Sequence, residues 1–395
     1  MLSLSIALYH WPSISVIFCV SVISSVAFLL ARLHRRPSTT SNPPPHHASS
    51  EIQPTSYPSV NPLSNFDWKT KEPLKIRPFK PKYNLTMSMY PCNDTSKVSG
   101  FTDWGGTGIQ DATVDELIEM DKNYLERITL RESLIEQYPD QVSAADDSAK
   151  PAIDEFYIWL VGTYLPTRFP LMFQLQPQNE KSQQLHCSVT GRDYSLEPDA
   201  SAIVTLRLMG GLVDDDLLFL LPSEDGDGYK LRAFVTCFPN GFNTAEKLNL
   251  KLRDIHKPVP QYKEKLEKSM DRYLDRLKTG KFIKRANWTI TTTNKLFTAS
   301  GNHLYEGEAV NQEEINIDTA RVRCERQMLH RLPETRAVLF SFKTYLYTLP
   351  EIKCEGLGEA LVEAIDGLKQ GNVPGFHFYK RAAVWGESAK AYLRN

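Results

Sequence analysis

The sequence lacks most of the patterns by which common enzymes and metal proteins are recognised. Its six cysteines stand apart, with no CxxC pair and no regular spacing, so they predict neither a zinc site nor a disulfide framework. No GxSxG, GxxxxGKS/T or HExxH motif is present, and no glycine-rich turn leads from a strand into a helix. These absences argue against serine hydrolases, P-loop nucleotide enzymes, zinc peptidases and dinucleotide-dependent dehydrogenases.

An excess of charge of one sign is also missing. The chain has 46 basic and 47 acidic residues, for a formal net charge of −1, and no long basic block follows the N-terminal region. A nucleic-acid surface is therefore not expected. We expect the partners to be a small molecule and other proteins.

The N-terminal region has the one long apolar run of the chain, an uncharged stretch over residues 13–31. It is long enough to cross most of a bilayer core, and Arg32, Arg35 and Arg36 follow it. Charges on that side predict a single-pass anchor over residues 1–36 with the C-terminal body in the cytosol, most simply at the endoplasmic reticulum. Sequons at Asn84, Asn93 and Asn287 would matter only in a lumen, and we give the charges more weight.

Residues 37–65 are rich in Pro, Ser, Thr and His and poor in aliphatic side chains, which predicts a disordered linker. Hydrophobic periodicity begins near Phe66, so residues 66–395 are the predicted folded domain. Its patterns predict an α+β fold, a mostly antiparallel sheet with surrounding helices. The predicted helices are Val114–Tyr138, Ile153–Tyr164 and Gln261–Leu277, and the predicted strands are Ala202–Leu208, Leu217–Leu221, Leu231–Phe238, Phe282–Thr293 and Ala337–Leu346.

His256 lies in the segment RDIHKPVPQY, between a charged stretch and two prolines. Because proline restricts its own φ and the residue before it, the imidazole is held in a stiff piece of chain. A restricted imidazole is suited to ligate a metal or a haem iron, and Asp254 is a nearby candidate acceptor for its second nitrogen. The alternative is that His256 only caps or packs against the helix that follows.

Asp214, Asp215 and Asp216 form the most acidic cluster. Such carboxylates can hold a divalent cation on a nucleotide sugar, which would suit a membrane-anchored glycosyltransferase. The simpler interpretation is a solvated turn before the strand Leu217–Leu221.

A second dense region runs from Arg321 to Pro333. Glu325 and Arg326 there can pair with each other or orient an anionic group, since arginine recognises carboxylates in bidentate geometry. Cys324 has the chemistry of a thiolate haem ligand, but a lone cysteine in a strand is more often a small buried hydrophobe. We interpret His330 as structural.

Several short blocks stand in order along the chain: RPF from Arg77, LTM from Leu85, DKNY from Asp121, YLP from Tyr164, IHKPVPQY from Ile255, RANW from Arg285, ERQ from Glu325, RLP from Arg331 and TYL from Thr344. Together these blocks resemble the alpha subunit of haem-dependent oxidative N-demethylase. The resemblance implies a PAS-like α+β fold that binds haem b, with His256 as the iron ligand and Arg326 as a partner for a haem propionate. The N-terminal anchor and linker are not part of the family core and are typical of an addition in eukaryotic, fungal members.

The resemblance also implies a monooxygenase chemistry, in which dioxygen and external electrons oxidise an N-methyl group and formaldehyde is released. The chain has no ferredoxin-like cysteine spacing and no flavin or nicotinamide motif, so electrons would come from a separate reductase carrying flavin, an iron–sulfur centre or both. The substrate, a small amine or a secondary metabolite, and the catalytic residues do not carry over. The alternatives are a haem-binding sensor or carrier without catalysis, and the anchored glycosyltransferase.

Overall fold

A computed structural model describes residues 55–85, 108–179 and 182–395 of the chain. The predicted anchor, residues 37–54 of the predicted linker and the sequon at Asn93 lie outside these ranges. Within the ranges, every helix is too short or too polar to cross a membrane.

The core of the fold is a seven-stranded sheet in which every pair of neighbouring strands is antiparallel. Its order is β1-β8-β9-β10-β6-β7-β2, and a separate three-stranded antiparallel sheet has the order β3-β4-β5. The strands are β1 (Gln110–Ala112), β2 (Ser143–Ala145), β3 (Phe173–Pro177), β4 (Gln183–Cys187), β5 (Arg192–Ser195), β6 (Asp216–Pro222), β7 (Tyr229–Val235), β8 (Phe282–Thr291), β9 (Arg321–Arg331) and β10 (Val338–Thr348).

Helices flank the large sheet on both sides, which confirms the predicted α+β class with a mostly antiparallel sheet. They are α1 (Tyr124–Gln137), α2 (Pro139–Val142), α3 (Lys150–Trp159), α4 (Leu165–Arg168), α5 (Ala202–Gly210), α6 (Leu252–Ile255), α7 (Tyr262–Lys265), α8 (Glu267–Arg276), α9 (Leu349–Cys354), α10 (Gly358–Gln370), α11 (Phe376–Tyr379) and α12 (Ala382–Arg394).

The two faces of the central strands β8, β9 and β10 differ in burial. We call the side that carries Arg285, Asn287, Glu325, Gln327 and Thr344 the open face, because several of its side chains are only half-buried. Successive side chains alternate between the faces, so the opposite side, the closed face, carries the fully buried Trp288, Cys324, Arg326, Met328 and Tyr345.

Different helices cover the two faces. Helices α1, α3 and α5 pack on one end of the closed face, and α10 and α12 pack on the other end. Helices α6 and α8 pack against the open face through Leu252 and Leu274, beside the half-buried Leu329 and Phe340. The segment with His256 is therefore attached to the open face.

The strand predicted over Ala202–Leu208 was wrong, because this segment is helix α5. Leu206, Met209 and Gly210 are buried at helical spacing, while Val204 and Leu208 are partly exposed. An added Cβ at Gly210 would lie 2.5 Å from Cγ2 of Val235, so glycine allows the helix to approach strand β7 closely. The periodicity of this short apolar segment fits either a strand or a helix, and its tertiary packing determines that it forms a helix.

Two predicted helices exist with different bounds. The first begins at Tyr124, preceded by a 3₁₀ turn at Val114–Glu116, and not at Val114. The second continues past Tyr164, because α3 passes through a π-helical turn at Leu160–Tyr164 into α4. Pro166 lies in the first turn of α4, where its missing N–H is tolerated.

The body of the protein begins earlier than the predicted boundary at residue 65. Tyr57 stacks on Trp159 with ring centroids 3.7 Å apart, and Val60 and Leu63 pack on the same core cluster. Asn61 is held by Asp115, whose carboxylate accepts from the backbone N–H at 2.8 Å and from the side-chain amide at 2.6 Å. Residues 55–65 are thus fixed to the domain, although their composition is that of a linker.

Candidate functional site

His256 follows the last residue of helix α6 and is oriented by that helix. Its Nδ1 lies 2.8 Å from the carbonyl oxygen of Leu252, so Nδ1 carries the proton and donates it. Nε2 then has a free lone pair, and among the described residues nothing hydrogen-bonds to it. Asp254, the candidate acceptor by proximity in sequence, is exposed, and the partner of Nδ1 is the Leu252 carbonyl. A backbone carbonyl fixes the tautomer instead.

The ring of His256 is also fixed from the side of the two prolines. Tyr262, in helix α7, stacks on it with centroids 4.8 Å apart and an interplanar angle of 13°. The backbone N–H of Val259 donates to the carbonyl of His256 at 2.8 Å, which closes a turn across Pro258. The stack and the turn together restrict the orientation of the imidazole.

The imidazole is neutral at physiological pH. Removal of the ring from bulk water lowers the pKa of His256 to about 4, the Leu252 hydrogen bond opposes this shift, and the charges of Lys247 and Arg285 add to it. A neutral imidazole with Nδ1–H bound and Nε2 open is the form that ligates a metal.

Arg285 and Lys247 make the surroundings of His256 electropositive. Both side chains are half-buried, and neither forms a hydrogen bond or an ion pair with the described part of the chain. Nε of Arg285 is buried without a partner. A buried donor with no acceptor is costly, so Arg285 is suited to an anionic ligand that would satisfy it.

The open face beside His256 is organised in rows across the strands. Asn287 of β8, Glu325 of β9 and Thr344 of β10 are directly opposite one another, and the next row contains Arg285, Gln327 and Phe342. The row nearest α6 is apolar, with Ile283, Leu329 and Phe340. One surface therefore joins a polar region and an apolar region next to a free imidazole nitrogen.

Lys380 closes the polar end of this surface. Its amine donates to Oδ1 of Asn287 at 3.0 Å and to the carbonyl of Trp288 at 2.6 Å, and it lies 4.6 Å from the ring centroid of Tyr83. Burial lowers the pKa of Lys380 to about 7, while Glu325 opposes the shift. Burial therefore disfavours the charged form of this lysine.

The structure does not bring Arg326 to His256. Its side chain is on the closed face, where its guanidinium donates to the carbonyl oxygens of Glu116 and Leu117. Cys324 is also on that face, buried with its Sγ 3.7 Å from the carbonyl of Ile76, and burial raises the pKa of its thiol to about 12. An inert thiol of this kind is the small buried hydrophobe that we weighed against a thiolate ligand.

His330 packs in the core, stacked on Phe282 with centroids 4.7 Å apart. Burial lowers its pKa to about 3. This placement agrees with the structural role that we gave it.

Asp214, Asp215 and Asp216 are not a solvated turn, because each is at most 1% exposed. Asp216 forms an ion pair with Arg131 at 2.7 Å, and Asp214 lies 3.3 Å from the amine of Lys343. Burial raises the pKa of Asp215 to about 7 against the influence of Arg326 and Lys343. Two of the carboxylates are matched to internal cations, so nothing in this arrangement favours the glycosyltransferase alternative.

The described ranges also contain no group of three or more His, Cys, Asp and Glu side chains that could hold a metal ion. Haem iron can be held by a single protein ligand, so one imidazole nitrogen with a free lone pair is compatible with that finding.

A family model described as "Haem-dependent oxidative N-demethylase, alpha subunit-like" matches residues 108–390, well over half of the chain. The chain belongs to this family. The match spans His256, the three central strands and Lys380, so the open face lies entirely within the family domain.

The residues present fit a haem of the kind that the family name states. His256 supplies a neutral imidazole with Nε2 open, and Arg285 supplies a cation whose buried Nε has no partner. Lys247 adds a second cation, whose ammonium lies 4.6 Å from the ring centroid of Phe242. Leu329 and Phe340 supply half-buried apolar surface beside them.

Sequence reasoning found His256 but not Arg285, Lys247 or Lys380. The face on which Arg285 lies follows from the register of β8 against β9, which places it opposite Gln327.

Proposed function

We propose that this protein is a haem b-dependent monooxygenase that removes an N-methyl group from a small amine or a secondary metabolite. His256 ligates the iron through Nε2, and the haem lies on the open face in a PAS-like arrangement. Haem iron supplies the activation of dioxygen and the oxidation of the methyl carbon. The observation that carries the proposal is the tautomer of His256, fixed by Leu252, in a family whose name states haem dependence.

The chain's own residues have three tasks in this proposal. The Leu252 carbonyl and the stacked Tyr262 orient the imidazole, so the ligand need not be ordered on binding. Arg285 and Lys247 hold the propionates. Leu218, Leu329 and Phe340 keep water from the buried side of the haem, which raises the strength of every polar contact there.

We further propose that electrons come from a separate reductase with flavin, an iron–sulfur centre or both. The charge pattern around residues 13–31 supports a single-pass anchor in the endoplasmic reticulum with the domain in the cytosol. An anchored domain would then share its membrane with an anchored reductase.

Turnover is the test of this function. The haem-loaded chain is supplied with an electron donor and dioxygen and is screened against secondary and tertiary N-methyl amines. We expect formaldehyde to be released in equal amount to the demethylated amine. A His256→Ala variant should release none, and a His186→Ala variant should be unaffected, since His186 lies in the small sheet and pairs with the exposed Asp193 at 2.8 Å.

The outcome separates the enzyme from the sensor or carrier. If the chain binds haem and its reduced form reacts with dioxygen, yet no amine in the screen yields formaldehyde, the sensor or carrier is the better account. If the chain binds no haem, both accounts fail.

A further inference from the structure

The segment that follows His256 is strongly basic, although the whole chain has a net charge of −1. Residues 257–281 contain eight Lys and Arg against four Asp and Glu, and all eight basic side chains are exposed. An exposed excess of positive charge attracts anionic partners in a salt-dependent way. The segment therefore has the charge of a docking surface.

Helix α8 keeps its positive and negative side chains on separate sides. Three basic residues recur every four positions along one side, which we call the basic row: Lys268, Arg272 and Arg276. Three acidic residues recur in the same way beside it: Glu267, Asp271 and Asp275. An added Cβ at Gly228 would lie 3.1 Å from Oδ1 of Asp271, so the acidic side faces the turn before β7.

The basic row forms no ion pair with the described part of the chain. Two nearby basic residues do pair, since Arg253 lies 2.7 Å from Asp227 and Lys281 lies 3.0 Å from Asp111. Like charges one turn apart on a helix repel each other and destabilise it. An anionic partner would relieve that repulsion.

Contacts link the helix of the basic row to the proposed iron ligand. Tyr262 stacks on His256 with centroids 4.8 Å apart, and its hydroxyl lies 3.3 Å from Sδ of Met270. Met270 belongs to α8, two positions from Lys268 and two from Arg272. The exposed side of α8 is thus the outer surface of the structure that holds His256.

The partner that fits this surface is a protein and not a membrane. A helix that lies on a bilayer inserts exposed apolar side chains. The apolar side chains of α8, Met270, Tyr273 and Leu274, pack inward, and residues 257–281 have no large hydrophobic side chain exposed. Docking between redox proteins uses small interfaces and is steered by charge.

We propose that the basic row docks an acidic surface of the electron-donating protein. This inference rests on the proposed function and adds the face on which the donor binds and the charge of the donor. Each encounter transfers one electron, which oxidises the reduced flavin or iron–sulfur centre and reduces ferric haem to ferrous haem. Tyr262 and Met270 then lie between the donor and the iron ligand.

Stopped-flow reduction tests the docking without turnover. The full, haem-loaded chain is mixed with reduced flavodoxin, an acidic one-electron donor, under carbon monoxide, which traps the ferrous haem. We expect the second-order rate constant to fall roughly 10-fold between about 20 mM and about 300 mM ionic strength. A variant with Lys268→Gln, Arg272→Gln and Arg276→Gln should be roughly 10-fold slower than wild type at low salt and lose most of the salt dependence. The uncharged deazaflavin radical should reduce both chains at the same rate.

The matched control removes three positive charges elsewhere, by Lys69→Gln, Lys71→Gln and Lys369→Gln. All three lysines are exposed. Lys69 and Lys71 follow Trp68, which packs on the closed-face core, and Lys369 lies in α10. The rate of this variant with flavodoxin should equal that of wild type.

Hydrogen exchange of the haem-free, full chain in phosphatidylcholine nanodiscs gives a second readout. Oxidised flavodoxin should slow amide exchange in residues 262–278 at low salt. Protection by phosphatidylserine in the nanodiscs and not by flavodoxin would overturn the inference in favour of a membrane surface.

A wild-type rate that does not change with salt would overturn the inference, and so would equal losses in the two triple variants. The salt dependence and the exchange need no variant, so they decide the matter if the α8 variant does not fold. Failure of haem binding would instead overturn the proposed function, and the exchange on the haem-free chain would still report on the docking.

Discussion

The buried ion pair of Arg131 and Asp216 tests whether a buried carboxylate of this fold depends on its cationic partner for stability. The guanidinium of Arg131 donates to Asp216 at 2.7 Å, to the carbonyl of Gly210 at 2.7 Å and to the carbonyl of Asp215 at 2.8 Å. Both side chains of the pair are at most 1% exposed. Arg131→Met removes the cation and leaves Asp216 charged and buried.

Loss of one partner of a buried pair costs about 3–5 kcal/mol, much of it from the uncompensated charge. We expect Arg131→Met to lose that amount of unfolding free energy in urea at pH 7, followed by tryptophan fluorescence. Arg127→Met is the matched control, because Arg127 lies one turn earlier on α1 and also faces the Phe238 ring, 5.4 Å against 5.3 Å for Arg131. Arg127 has no carboxylate partner among the described residues, so its loss should cost less than about 1 kcal/mol.

Equal stability of the two variants would refute this reasoning. It would mean that the aspartate is protonated or hydrated in the folded protein. The cluster at residues 214–216 would then again be a candidate for another role.

Four further predictions concern the site and the N-terminal boundary. Arg285→Met should weaken haem binding roughly 10-fold and leave the melting temperature unchanged. Arg326→Met, which loses its contacts to Glu116 and Leu117, should lower the melting temperature and leave the amount of haem bound per folded chain unchanged. The reverse pattern would indicate that Arg326, and not Arg285, binds a propionate. Haem ligation should be constant from pH 8 to about 5 and decline towards pH 4, because a proton competes with iron for Nε2 only near the lowered pKa of about 4. A decline centred near the ordinary histidine pKa of about 6.5 would contradict the burial of the ring. The haem-free chain should lose stability as pH falls from about 6.5 to about 4, since the unfolded state, with the ordinary histidine pKa of about 6.5, binds the proton first. Removal of residues 1–65 should destabilise the domain by about 2 kcal/mol or more relative to removal of residues 1–54, because the stack of Tyr57 on Trp159 is lost. Equal melting temperatures of the two truncated chains would place the start of the folded domain at residue 66.

The sequence predicted the class of the fold and most of the later strands. The strands β6, β7, β8 and β10 combine β-branched or aromatic residues with a clear turn signal at Pro222–Gly228, where Gly226 and Gly228 adopt positive φ of 71° and 79°. Helix α5 was missed because a nine-residue apolar segment satisfies either period. The linker boundary was missed because only three apolar side chains in residues 55–65 anchor it, too few to change the local composition.

The candidate site was predicted in part. His256 is identifiable from its prolines and from the family blocks, since both are local in sequence. Lys380 comes from a distant segment, and only the folded sheet brings it near the open face. Arg326 and Arg285 illustrate the same limit, because the face of a strand on which a residue lies follows from register, which the sequence alone does not fix.

The central claim is that Nε2 of His256 ligates haem iron. The most direct measurement is the absorption spectrum of haem-loaded His256→Gly with and without imidazole, beside wild type and His186→Gly. The account predicts that the wild-type Soret band is lost in His256→Gly, is restored by imidazole that fills the vacated ring position, and is unchanged in His186→Gly. A wild-type spectrum in His256→Gly without imidazole would contradict it.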